Sequence, residues 1–299
     1  MLSQLDLSLF QIGTTVILLI FYFAIVALVK IGLLVNAFAR TKELDACLVS
    51  VIGASKGVNA VPLVVHQIGV QESIAVSEKF RELLNIKYVE PYSSNPLACI
   101  NHNRYFGLEF LFDEHGVDAV LAVEDDVEIA RDSALFCAFA IDKYGGNPNF
   151  RGVNLGSRIS KTSQSKVINS FSLVRYGLHG QAGLLTSTSW SYIKKYNLGL
   201  GVLDGFDAQI ESYLKTGFMV TSNYSRYLDR GFDSYATHAP KNSEDPAFTL
   251  TKNSYIGRDY MVPSVPYSLM QMDHTGWRRD AVAYKRIDKL KYWLKHELA

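Results

Sequence analysis

Hydrophobic positions along this chain fall into two regimes. Residues 7–29 are 23 consecutive positions without a charge, including Ile17-Leu18-Leu19-Ile20-Phe21-Tyr22-Phe23. Such a run has no polar face and, as a helix, is long enough to cross a bilayer. It has no basic leader and no clean small-x-small cleavage site, so residues 1–30 are expected to be a membrane anchor rather than a cleaved signal peptide. After Lys30 the apolar residues come in short blocks whose period alternates. Ile31–Ala39 reads as a buried strand, and Thr41–Val51 sets Leu44, Leu48 and Val51 on one helical side with Cys47 beside them. Pro62–Gln67 is a second strand, Glu72–Leu84 an amphipathic helix, and Ile86–Val89 a short strand. Asn101–Phe112 is a helix with Tyr105, Leu108 and Leu111 facing one way, followed by another apolar strand. This order predicts an α/β domain with a largely parallel sheet, whose ligands sit beyond the carboxyl ends of the strands.

The strand that follows ends in chemistry. Leu121-Ala122-Val123 runs straight into Glu124-Asp125-Asp126, and Val127-Glu128-Ile129 then resumes the apolar pattern. Three adjacent acids repel one another and cost free energy to desolvate. A hard divalent cation at the strand end would neutralise them, using one or two carboxylates while a diphosphate and waters complete its shell. A solvated acidic turn is the competing reading of the same residues.

Composition narrows the field. The chain has 299 residues, and 30 Lys+Arg against 29 Asp+Glu give a formal net charge of +1, so no nucleic-acid partner is expected. Cys47, Cys99 and Cys137 are dispersed without a CxxC, which indicates neither a zinc site nor a disulfide framework. No GxGxxG and no GxxxxGK[ST] occurs, so neither a standard dinucleotide fold nor a P-loop is supported.

An ordered series of segments stands out: Leu34–Arg40 with Leu44 and Cys47-Leu48, then Asn101-His102-Asn103-Arg104-Tyr105, then Val123–Asp132. It continues with Leu173-Val174-Arg175, His179–Leu185, Gly205-Phe206-Asp207-Ala208 and Tyr224-Ser225-Arg226. Over residues 31–240 this series resembles the GT-A glycosyltransferases, and within them the β-1,2-N-acetylglucosaminyltransferases that include N-acetylglucosaminyltransferase I and the protein O-mannose enzyme (glycosyltransferase family 13). The resemblance implies a GT-A nucleotide-diphospho-sugar transferase fold and an inverting transfer of a sugar, with UDP-N-acetylglucosamine (UDP-GlcNAc) as donor and a glycan, glycoprotein or glycolipid as acceptor.

It also implies roles. Asp126 would bind Mn²⁺ or Mg²⁺, with Glu124 and Asp125 near the ribose and sugar hydroxyls. Asp207 would be the general base that takes the acceptor proton, with Asp204 as the competing carboxylate. Arg40 and His102 would contact the nucleotide, Ser225 and Arg226 would belong to the nucleotide-sugar site, and Arg230–Ser234 would be a loop that closes over the donor. Asp207 could instead be a helix N-cap, His102 a surface histidine, and Arg40 a cation flanking the membrane. Arg104 and Tyr105 read as packing and salt-bridge residues.

Several positions depart from the family pattern. Ile68 stands where the family places an acid that reads uracil, and Gly183, Phe206 and Gln209 replace its tryptophans, which puts the N-acetylglucosamine donor in question. No stem separates the anchor from the first strand. Residues 241–299 form a C-terminal extension ending in an apolar stripe of Ala283, Ile287, Leu290, Leu294 and Leu298, with Trp293 beside it and lysines and Arg286 around it. A helix of this kind either lies in the membrane interface or packs on the domain.

Orientation is contested by two signals. Lys30, Arg40 and Lys42 follow the anchor and no basic residue precedes it, which favours a cytosolic domain. The resemblance implies the Golgi lumen, where the Asn223-Tyr224-Ser225 sequon would be a glycosylation acceptor. Three functions therefore stand: an N-acetylglucosaminyltransferase, a GT-A transferase of another sugar acting on a lipid-linked acceptor at the cytosolic face, and a catalytically silent glycan- or nucleotide-binding protein tethered to the membrane.

Overall fold

Strand β1 (Lys30–Ala37) is buried from Ile31 to Val35 without a break, as befits a central strand covered on both faces. In the computed structural model, residues 29–156, 171–175, 178, 180–222 and 225–231 are described. The expected anchor up to residue 28, the Asn223-Tyr224 part of the sequon and the C-terminal extension lie outside them. Among the described residues no helix is long and apolar enough to cross a membrane.

After β1 the chain forms α1 (Thr41–Ser55), β2 (Asn59–Gln67), α2 (Gln71–Glu78), β3 (Asn85–Val89), α3 (Pro96–Glu109) with a π-helical turn at Phe110–Glu114, and β4 (Ala119–Glu124). It continues through β5 (Val127–Ile129), α4 (Ser133–Tyr144), β6 (Phe150–Asn154), β7 (Phe171–Val174), β8 (Ala182–Thr186), α5 (Ser187–Lys195), α6 (Phe206–Leu214), β9 (Phe218–Ser222) and β10 (Tyr227–Asp229). The described strands form an eight-stranded sheet in the order β3-β2-β1-β4-β8-β6-β9-β7, with β10 and β5 making a separate two-stranded ribbon. β1 to β4, β6 and β9 run one way, while β7 and β8 run against them. The α/β class and the parallel first half agree with the sequence reading.

Successive residues of the central strands point to opposite faces, and two cores result. Ile31, Leu33 and Val35 of β1 pack with Leu44, Cys47, Leu48 and Val51 of α1 and with the apolar residues of α4. Leu34 packs instead with Leu63 and Val65 of β2, Leu108 of α3 and Phe206 and Ile210 of α6. Helix α3 can lie close on that face because Gly107 sits over the sheet. A Cβ there would overlap the Leu34 side chain and come within 3.1 Å of Val65 Cγ2.

Several boundaries differ from the sequence reading, and those of α2 and α3 do so for local reasons. The first strand stops at Ala37 rather than Ala39. α2 stops at Glu78 rather than Leu84, because tight turns such as Phe80 N to Ser77 O (3.0 Å) and Leu83 N to Phe80 O (2.9 Å) swing Leu84 into the core. α3 begins at Pro96 rather than Asn101, since the Asn95 side chain accepts from Leu97 N at 2.9 Å and a proline follows it in the first turn.

Candidate functional site

From β1 the chain moves outward to β2 and β3, whereas β4 lies on the other side of β1. The carboxyl ends of β1 and β4 therefore flank the point where the winding reverses, the usual location of a ligand crevice in an open α/β sheet. β1 delivers Asn36 and the connection Phe38-Ala39-Arg40 to this point, and β4 delivers Glu124, Asp125 and Asp126. The N-terminus of α1 starts directly after Arg40.

The three acids have different surroundings. Asp125 Oδ2 accepts from the Phe38 backbone N–H at 3.1 Å, and Arg40 Nη1 lies 3.7 Å from Oδ1. Burial nevertheless pushes the Asp125 carboxyl up to about 6, against the opposing pull of Arg40 and the Phe38 N–H. Asp126 is buried, and its Oδ2 is ion-paired with Arg40 Nη1. Its Oδ1 is buried and has no hydrogen-bond partner among the described residues. Glu124 is half-exposed, with Oε1 3.6 Å from Arg104 Nη2.

Arg104 extends the site toward Asp207. Its guanidinium, buried in α3, donates to Gly180 O at 3.1 Å. Gly180 in turn abuts the Asp207 carboxylate: a Cβ on Gly180 would lie 3.2 Å from Asp207 Oδ2. Asp207 is in the first turn of α6, whose N-cap is Gly205, so it is not the capping residue. Glu124 and Asp207 are thus brought to the same edge of the sheet, linked through Arg104 and Gly180.

Beside them is a layer of polar residues, of which Asn36, Gln67 and Asn103 were not expected from the sequence as site residues. Asn36, Gln67 and Glu124 continue the same alternating face as Leu34, Val65 and Ala122. Asn103 of α3 donates to Gln67 Oε1 at 3.1 Å. Both amide atoms of Asn36, Asn103 Oδ1 and Arg104 Nε are buried with no partner among the described residues. Buried polar atoms are seldom left unsatisfied, so a group of them at a strand end points to a polar ligand that completes them. The signal was Asn36 itself, an amide inside an otherwise apolar strand. Arg104, read from sequence as a packing residue, does carry a salt bridge, and it is one to the candidate site.

No protein-family model matches the chain, and no curated protein matches it in sequence. Among solved structures it is similar to S. aureus TarS residues 1–349 in complex with UDP-GlcNAc, at 14% identity and a TM-score of 0.45, over 69% of this chain and 62% of that one. It is also similar to the mannosyltransferase PcManGT from Pyrobaculum calidifontis in complex with GDP-Man and Mn²⁺, at 12% identity and a TM-score of 0.45, over 73% of this chain and 65% of that one. Neither similarity assigns a family or a substrate.

Other expected site residues are placed differently. His102 stacks on Tyr92, with ring centroids 4.2 Å apart and planes 10° from parallel. Asp204 is exposed, and its carbonyl oxygen accepts from Asn101 Nδ2 at 2.8 Å and Gln209 Nε2 at 2.7 Å. Ser225 and Arg226 are fully buried. Arg226 Nε lies 3.0 Å from Asp132 Oδ2, its guanidinium stacks 4.3 Å above the Phe136 ring, and Ser225 Oγ donates to Tyr227 O at 2.6 Å. The described contacts of these two residues thus lie in the interior. Of the expected closing loop, Arg230 and Gly231 are described: Arg230 N donates to Asp126 O at 2.8 Å, and Gly231 lies against the Asp126 carboxylate.

The donor set fits a hard cation only in part. Among the described residues no group of three or more His, Cys, Asp or Glu side chains could hold a metal by itself. Asp125 and Asp126 supply adjacent carboxylates, and Asp126 Oδ1 is a buried acceptor left unsatisfied among the described residues. That is what a Mg²⁺ or Mn²⁺ site needs when a substrate diphosphate and waters provide the remaining oxygens.

Proposed function

We propose that this chain is a metal-dependent, inverting glycosyltransferase that transfers a sugar from a nucleotide diphosphate to a hydroxyl of a glycan, glycoprotein or glycolipid. UDP-GlcNAc is the donor that the sequence resemblance favours. The observations that carry this reading are Asp126 at the switch point of the sheet, its Oδ1 unsatisfied among the described residues, and Asp207 linked through Gly180 and Arg104 to the neighbouring Glu124. The reading includes a membrane tether through residues 1–30.

In this mechanism Asp126, with Asp125 beside it, holds the divalent cation, which when bound supplies Lewis-acid stabilisation of the departing diphosphate. Arg40, at the start of α1, offers a planar fork to phosphate oxygens, and the N-terminus of that helix favours negative charge. Glu124 and Asn36 bind hydroxyls of the donor, completing the buried amide of Asn36. Arg104 keeps Glu124 and the Gly180 segment in register. Asp207 accepts the proton of the acceptor hydroxyl as that oxygen bonds to the anomeric carbon and the bond to the diphosphate breaks. Attack opposite the leaving group inverts the anomeric centre.

One feature favours a donor base or sugar other than that of UDP-GlcNAc. Ile68, whose backbone N–H donates to Val89 O at 2.9 Å, offers no polar side chain where the resembled family reads uracil. A panel of nucleotide sugars therefore tests the proposal. The purified chain is expected to hydrolyse at least one of them slowly in Mn²⁺ and not in EDTA, with loss of the reaction in Asp126→Ala. Turnover that is indifferent to EDTA and to Asp126→Ala would overturn the metal-dependent reading.

A further inference from the structure

Two carboxylates side by side at a strand end repel each other, and something must hold them before any ligand arrives. In this chain it is Arg40. Its Nη1 is ion-paired with Asp126 Oδ2 and lies 3.7 Å from Asp125 Oδ1. The pair is covered as well as formed. Gly231 lies on it so closely that a Cβ there would overlap Asp126 Oδ2 and come within 3.2 Å of Arg40 Nη1. The covering segment is itself fastened, by Arg230 N to Asp126 O at 2.8 Å and by Arg230 Nη2 to Glu128 Oε2 at 2.7 Å. The same carboxylate keeps its second oxygen, Oδ1, buried and unsatisfied among the described residues. One oxygen of Asp126 is thus neutralised by a guanidinium and the other is left for a ligand.

We propose that Arg40 is a built-in counter-ion of Asp126 that is handed to the diphosphate when a divalent cation binds that carboxylate. A cation arriving alone meets a positive charge at the carboxylate it needs, and must displace or tolerate it. A diphosphate removes that obstacle, because its oxygens accept the guanidinium as a bidentate partner. Cation and nucleotide diphosphate therefore bind with positive coupling, and linkage makes the coupling equal in both directions. Arg40 acts here as a positioning residue for Asp126, in addition to contacting the nucleotide. The inference rests on the reading of Asp126 as the cation ligand.

The test is direct Mn²⁺ binding to the full chain, by electron paramagnetic resonance of free Mn²⁺ and by calorimetry, with and without UDP, on folded protein. In the wild type, UDP is expected to tighten Mn²⁺ binding, and Mn²⁺ to tighten UDP binding by the same factor. Arg40→Gln is expected to bind Mn²⁺ alone about tenfold more tightly than wild type, because a repelling charge within ~4 Å is gone, and to lose most of the enhancement by UDP. Arg40→Lys, which keeps the charge but cannot fork, is expected to bind Mn²⁺ alone no more tightly than wild type. Absence of coupling in the wild type overturns the proposal whatever the variants do. So does an Arg40→Gln protein that binds Mn²⁺ alone no better than wild type while Asp126→Ala abolishes binding. If Asp126→Ala binds Mn²⁺ as the wild type does, the metal reading itself has failed.

Discussion

Arg226 and Asp132 form an ion pair from which solvent is wholly excluded: Nε of the arginine lies 3.0 Å from one carboxylate oxygen and 3.2 Å from the other, with both side chains fully buried. Ser222 Oγ and the face of Phe136 also contact the arginine. The pair ties the segment leading into β10 to the residue just before α4. It therefore supports the ribbon of β5 and β10, which brings Arg230 and Gly231 onto Asp126.

Removing one member of such a pair leaves an uncompensated buried charge, which costs about 3–5 kcal/mol. Arg226→Met is expected to lower the unfolding free energy by about that amount in urea titrations, and Asp132→Asn to lower it as well. The folded fraction of either variant should bind nucleotide sugar as the wild type does. An Arg226→Met protein of normal stability that has lost donor affinity would mean that the side chain reaches the nucleotide after all.

That pair also explains what could and could not be read from the sequence. The strands β1 and β4 were legible because a central strand needs an unbroken apolar run, and Asp125-Asp126 and Arg40 lie immediately after those runs. The interior contacts of Arg226 were not legible, because the resemblance assigned it to the nucleotide-sugar site and no apolar periodicity marks it as buried. Its burial depends on Asp132, 94 residues earlier in the chain. The reversed direction of β8 was equally hidden, since Ala182–Thr186 is apolar in either orientation. The link from Glu124 to Asp207 needs Arg104 from α3 and the close approach of Gly180, neither of which has a periodic signature.

Asp207 and Asp204 have different neighbours, and those of Asp207 favour it as the proposed base. The Asp204 side chain is exposed, and its main chain is anchored by Asn101 and Gln209. Asp207 places its carboxylate against Gly180, next to the Arg104 that contacts Glu124. Asp207→Asn keeps the shape but removes the proton acceptor, so turnover is expected to fall by roughly 10²-fold or more while donor binding persists. Asp204→Asn is expected to retain near-normal turnover. If the two variants exchange these results in a transfer assay, the base is Asp204.

His66 gives the fold a pH dependence of definite sign. The ring is buried at the carboxyl end of β2, with Nδ1 2.7 Å from Ser77 Oγ and Nε2 3.0 Å from Ser73 Oγ. Ser73 Oγ has a single proton, and it is directed at the carbonyls of Phe38 and Val70. Nε2 therefore donates to Ser73, and in the neutral imidazole Nδ1 accepts from Ser77. Burial lowers the His66 pKa below its ordinary value, against smaller raising effects of the Phe38 carbonyl and Glu78. The unfolded chain then binds the proton more readily, so the stability contributed by neutral His66 is full above about pH 6.5 and is lost as the pH falls toward the depressed folded value. Asp125, raised to about 6, acts in the opposite sense over the same window, so the measurement that isolates His66 is a difference between wild type and variant. His66→Asn is expected to be less stable than wild type by about 1 kcal/mol at pH 8, with the gap narrowing as urea titrations are taken down to pH 5. A gap that stays constant across that range would show that His66 does not titrate with unfolding.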